Sequence, residues 1–130
     1  MIQLTAHMRI LVCTTPLDMR KGIDGIQAYC RQVLCENPMN GAAFMFISRS
    51  RKQLRVLVYD GQGFWLCSKR LSAGRFPHWP EAQAGSPRWL KELESCEAQA
   101  LLHGGDPRQI KPMLPWKKIL LPSSFLTGVA

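Results

Sequence analysis

Acidic side chains are scarce in the first three-fifths of this chain. Residues 1–75 contain only Asp18, Asp24, Glu36 and Asp60 against eleven Lys and Arg. A carboxylate metal nuclease needs two or three acids that converge. Asp18 and Asp24 are six apart, which puts them on different faces of a helix, and Asp60 sits in a turn that favours Asp for local reasons. Histidine is also sparse: His7, His78 and His103 show no ligand spacing with one another or with a cysteine, so no zinc site is expected. The five cysteines form no C-x-x-C pair, and an odd number argues against a disulfide framework. Reduced thiols packed as small hydrophobes in a cytoplasmic protein are the expectation. No apolar run approaches the ~20 residues of a membrane helix. The first residues, Met1 to His7, lack the basic and apolar regions of a signal peptide. There is no P-loop, no G-x-S-x-G, no Ser/His/Asp order, no internal repeat and no low-complexity tract. No cofactor, metal, catalytic residue or membrane partner is therefore expected.

What is present is positive charge. The 130 residues carry 17 Lys and Arg against 9 Asp and Glu, a net charge of +8. Residues 1–75 account for +7 of it and residues 76–130 for +1. Such asymmetry points to a polyanionic partner, whether nucleic acid, an anionic surface or an acidic protein. The cations gather in two places. Asp18-Met19-Arg20-Lys21-Gly22 reads as a helix start, with Asp18 as N-cap and two cations in a turn whose dipole disfavours them. Helix N-termini with added positive charge commonly hold a phosphate or carboxylate. Ser48-Arg49-Ser50-Arg51-Lys52-Gln53, joined by Arg55, makes a basic hairpin turn that could straddle a phosphate backbone. Lys69, Arg70 and Arg75 extend the set, although strand alternation sends Lys69 and Arg70 to opposite faces. The competing reading of both clusters is a set of solvated side chains that protect sheet edges.

The hydrophobic pattern predicts one α+β domain over residues 1–106 and an irregular, proline-rich tail over 107–130. Arg9 to Cys13 reads as a first strand. Ile23, Ile26, Cys30, Val33 and Leu34 recur at helical spacing within a helix from Met19 to Cys35. Gly22 and Gly25 in that helix suggest close approach of another backbone or a ligand. Residues 44–47, 54–59 and 64–71 read as an antiparallel meander, with Asp60-Gly61-Gln62-Gly63 as the last turn. The expected architecture is a small antiparallel sheet, the meander plus the N-terminal strand, packed against one main helix. Glu81 to Pro87 reads as a loop, and Ser95 as the cap of a short helix ending at His103. Trp65 is expected in or near the core. Phe76 and Trp79, within the rigid Phe76-Pro77-His78-Trp79-Pro80 segment, are the expected contact surface for a protein partner.

These motifs, in order, resemble a known family. Asp18-Met19-Arg20-Lys21-Gly22, Asp24-Gly25, the basic hairpin, Tyr59-Asp60-Gly61-Gln62-Gly63-Phe64, Lys69-Arg70-Leu71 and Gly74-Arg75-Phe76 look like the TnpB accessory protein of the bacterial insertion-sequence family numbered sixty-six. That is the second-frame protein of those elements, and the similarity covers about residues 9–80. Here His78 is inserted into the family's Phe-Pro-Trp-Pro, and Leu102-His103-Gly104-Gly105-Asp106 stands where its members tend to read Leu-Glu-Gly-Ile-Asp. The resemblance implies a transposition accessory protein without an active site, working beside a separate transposase. On that basis Arg20, Lys21, Arg49, Arg51, Lys52, Arg55, Lys69, Arg70 and Arg75 are the candidate DNA-phosphate contacts. The alternative is an adaptor that assembles the transposase without touching DNA. Self-association into a homo-oligomer is left open.

Overall fold

A computed structural model of the chain describes residues 8–81 and 89–109. Five strands form one sheet: β1 (Ile10–Cys13), β2 (Ala43–Ile47), β3 (Gln53–Tyr59), β4 (Phe64–Arg70) and β5 (Leu90–Leu93). Their spatial order is β4-β3-β2-β1-β5. The meander of β2, β3 and β4 is antiparallel, as its short turns require. β1 runs parallel to β2, so the sheet is mixed rather than purely antiparallel. Parallel neighbours need a crossover, and α1 (Ile23–Gln32) supplies it. The second helix, α2 (Ser95–Leu102), follows β5, and a single 3-10 turn covers Pro107–Gln109.

Every residue of β1 and β2 is buried. Strands buried on both faces need cover on both. On one face Leu11, Phe44, Phe46 and Leu57 meet Ile26, Cys30 and Leu34 of and just beyond α1. The Tyr29 ring packs edge-on to Phe46 at 6.4 Å. On the other face Ile10, Val12, Met45, Ile47, Leu54 and Val56 meet Phe76, Trp79 and the α2 residues Ala98 and Leu101. The predicted helix stripe therefore covers one face as expected. The second face is closed by the short C-terminal helix and by Phe76 and Trp79, which the sequence suggested as a partner surface.

β5 is the element that the pattern did not announce. Leu90-Lys91-Glu92-Leu93 pairs antiparallel with β1, and two charges in four residues hide its strand character. Glu94 rather than Ser95 caps α2: its carboxylate and that of Glu97 form a reciprocal capping box. The Glu81–Pro87 loop and the tail from residue 110 onward lie almost wholly outside the described residues. The Asp60–Gly63 turn is the hairpin the sequence indicates. Asp60 N–H donates to the Gly63 carbonyl at 3.1 Å, and its carboxylate accepts from the Gln62 and Gly63 amides.

Candidate nucleic-acid interface

Parallel β1 and β2 end at the same side of the sheet, where β3 and β5 begin and β4 finishes. The chain after β1 stays there, because Leu17 N–H donates to the Ile47 carbonyl at 2.9 Å. The same end carries the β2–β3 turn. Ser48 organises that turn: its carbonyl accepts from Arg51 N–H and its hydroxyl accepts from Gln53 N–H at 3.1 Å. Arg51 closes it with φ of 62°, a left-handed conformation uncommon for a residue with a side chain. The chain leaving β4 then docks on this turn. Leu71 N–H donates to Lys52 O at 2.8 Å and Phe76 N–H to Arg51 O at 2.7 Å. The topology thus gathers Arg20, Lys21, Arg49, Arg51, Lys52, Arg70 and Arg75 at one end of the molecule.

Two clefts flank the turn. Leu17, Asp18, Met19 and Arg20 face Ser48, Arg49 and Ser50 across a cleft of about 430 Å³. Lys52 and Arg70 line a second, of about 330 Å³, together with Leu71 to Gly74. Arg49, Lys52, Arg70 and Arg75 are exposed, and none of their side chains makes a hydrogen bond or ion pair among the described residues. Both segments singled out for their charge therefore contribute walls to one surface.

Within the set the roles differ. Asp18 is not the cap of α1. The N-cap is Gly22, and Asp18 instead folds the preceding turn by accepting from Arg20 N–H at 3.0 Å. The same carboxylate binds the Arg20 guanidinium through Nε and through Nη2 at 2.9 Å. The cations therefore precede the helix rather than occupy its first turn, and the dipole penalty expected for them is largely avoided. Gly25 lies beneath the Lys21 stem, where a Cβ would come within 3.3 Å of the Lys21 Cβ. The Arg20 hydrogen bonds hold the Asp18 pKa down at about 2, against 3.8 for an unperturbed Asp. A depressed carboxyl pKa stabilises above the unfolded value, and that contribution is lost as pH falls through about 2. An NMR titration should find the Asp18 carboxyl midpoint near 2, and Arg20→Gln should raise it towards the ordinary value.

Arg55 is not a surface cation. It lies on the α1 face of β3, half-buried, and its Nη1 donates to the Lys21 carbonyl at 2.8 Å. Its Nε is buried with no partner among the described residues. Arg55 thus ties the loop before α1 to the sheet. Lys69 projects to the other face and donates Nζ to the Leu102 carbonyl at 2.7 Å. It satisfies the C-terminal end of α2, where a cation is favoured. Arg51 is half-buried, with Glu81 at 3.9 Å.

The tryptophans exchange their expected positions. Trp79 is 3% exposed, and its indole N–H donates to the Cys13 carbonyl at 2.9 Å. Phe76 is fully buried beside it. Neither offers a contact surface, because both fill the face of the sheet that lacks α1. Trp65, placed in the core by its strand, is 56% exposed, with its indole N–H on Asp60 Oδ2 at 2.7 Å. Its strand lies at the edge of the sheet, where one face has little to cover it.

All five cysteines are free. Burial pushes the Cys30 thiol up to about 12, as suits a packed, unreactive group. Among the described residues no three His, Cys, Asp or Glu side chains come together to hold a metal ion. Asp60, at the opposite end of the sheet from Asp18, could not join it in a site. No helix among the described residues is long and apolar enough to cross a membrane.

Fold and charge define a class: a small α+β protein with an open mixed sheet and one basic end. The chain belongs to the IS66 Orf2-like family, a family of transposition accessory proteins, whose profile matches residues 8–112. Two curated relatives come from Sinorhizobium fredii (strain NBRC 101917 / NGR234). "Uncharacterized protein y4hO" is 38% identical over 111 residues, covering 85% of this chain and 90% of the relative. "Uncharacterized protein y4jC" is 36% identical over 76 residues, covering 58% and 65%. No solved structure matches the chain.

Proposed function

We propose that this protein assists a transposase by binding the DNA backbone through the basic end of its sheet. The observation that carries the reading is the shared cleft. Arg20 and Arg49, distant in sequence, line one cavity, while Lys52 and Arg70 line the next. Free cations around a hairpin turn neutralise phosphates without reading bases, so binding is electrostatic and largely independent of sequence. Arg49, Lys52, Arg70 and Arg75 provide the charge. Ser48 and Ser50 add hydroxyls at the same cleft. Arg20 contributes with its charge offset by Asp18. Arg55 and Lys69 act through the fold, since each holds a backbone carbonyl. Phe76 and Trp79, the expected contact with a protein partner, are buried, so the adaptor reading loses the residue chosen to test it, Trp79.

A salt-titrated binding assay tests this, with element-end DNA and random duplex, in the presence and absence of the transposase. Each phosphate contact contributes about −0.9 to the log–log salt slope on duplex DNA. Arg49→Ala/Lys52→Ala/Arg70→Ala should flatten the slope by roughly 3 and weaken binding to both DNAs alike. Salt-insensitive binding by the wild-type chain, or a triple variant indistinguishable from it, would count against direct contact.

A further inference from the structure

Among the described residues no strand pairs beyond either edge strand of the sheet, β4 or β5. β5 forms one edge with only four residues, but β4 presents seven, Phe64–Arg70, paired to β3 in unbroken register. The hydrogen bonds that bracket this ladder fix which way each residue faces. Asp60 bonds Gly63 at one end, and Lys52 bonds Leu71 at the other. Hydrogen-bonded and non-bonded pairs alternate between antiparallel strands. Trp65, Cys67 and Lys69 therefore direct their main-chain groups at β3. Phe64, Leu66, Ser68 and Arg70 direct theirs outward, and no described residue bonds to them.

Exposed edges are normally blunted by proline, a bulge or charge along the strand. β4 has no proline and no bulge, and its cations, Lys69 and Arg70, stand only at its end. An acid stands at its start. Asp60 Oδ2 accepts from the Trp65 indole, which places that carboxylate beside the exposed ring. An edge that is acidic at one end and basic at the other complements itself when two copies run antiparallel.

We propose that a second copy of this chain pairs antiparallel along β4 about a two-fold axis at Cys67. This is the register that joins every outward-facing residue. Phe64 meets Arg70 of the partner subunit, and Leu66 meets Ser68 of the partner subunit, as hydrogen-bonded pairs. Trp65 then lies opposite Lys69 of the partner subunit, so the aliphatic stem of a lysine whose ammonium holds the Leu102 carbonyl covers the exposed ring. Cys67 faces the partner's Cys67 in a non-bonded pair, where Cα atoms approach to about 4.5 Å. The two sheets become one, and the two basic ends fall on opposite sides of it. The test residues stand apart from the DNA reading, because neither Ser68 nor Cys67 belongs to the basic set.

Sedimentation over a range of concentrations tests it, together with a short bis-maleimide as a thiol cross-linker. The wild-type chain should be dimeric and cross-link through Cys67. Cys67→Ser should remove the cross-linked species, and Cys35→Ser, at the more exposed thiol, should not. Ser68→Pro removes one outward N–H and leaves the β3 ladder intact, so it should give a monomer with unchanged far-UV circular dichroism. Three results would overturn the proposal: a monomer at all concentrations, cross-linking that survives Cys67→Ser, or a dimer that survives Ser68→Pro.

Discussion

Trp79→Ala should cost about 3–5 kcal/mol of unfolding free energy, the range for deleting a buried large aromatic. The indole is 3% exposed and packs among Ile10, Val12, Leu93 and their neighbours, on the face that α1 does not reach. Its N–H also donates to Cys13 O at the end of β1. Truncation removes the ring volume and leaves that carbonyl without its side-chain donor. The whole stability of a domain this size is about 5–15 kcal/mol, so the variant should lose a large share of it. Urea denaturation measures it. Trp79→Phe separates the two contributions: it keeps most of the volume, loses the donor, and should fall about 1–3 kcal/mol below wild type. The distinction bears on function. If Trp79 were a partner contact, the alanine variant would keep its stability and lose only assembly with the transposase.

Arg55→Ala should lower stability by about 2 kcal/mol, in the range for a hydrogen bond to a charged group. The half-buried guanidinium holds the Lys21 carbonyl at 2.8 Å, across 34 residues of sequence. Its loss frees the Asp18–Gly22 segment from the sheet, so the cleft shared with Arg49 should loosen as well. In the salt titration Arg55→Ala should change the slope less than Arg49→Ala, although it removes the same charge. Arg55→Lys should rescue little, because an ammonium cannot reproduce the planar geometry of the guanidinium. An equal slope change for the two alanine variants would instead make Arg55 a phosphate contact.

The two residues illustrate where sequence reading stops. Arg55 and Arg49 look alike in the chain, both near the basic turn. Register separates them: Arg55 sits opposite Ser68, within the ladder and on the α1 face, whereas Arg49 stands at the tip of the turn. Trp65 and Trp79 mislead for a related reason. An aromatic residue in a strand suggests burial, and one between prolines suggests a surface. Burial depends instead on whether the strand is central and on what covers each face. Asp18 shows the same limit at shorter range. Its type suits a helix cap, but Arg20 lies two residues on and captures the carboxylate for a turn. β5 carried too few apolar residues to register as a strand at all.

The sequence alone determined the local elements. α1 and the three meander strands follow from hydrophobic period, the Asp60–Gly63 turn from its residue types, and the basic bias from composition. These depend on neighbours a few positions apart, and such neighbours are written in order along the chain. Only the tertiary structure decided that β1 runs parallel to β2 and that Phe76 and Trp79 close the second face. It also decided which cations share the basic end and which hold the fold together. Those outcomes depend on contacts across tens of residues. Periodicity carries no record of them, because the same alternation serves an edge or a centre, and the same arginine a phosphate or a carbonyl.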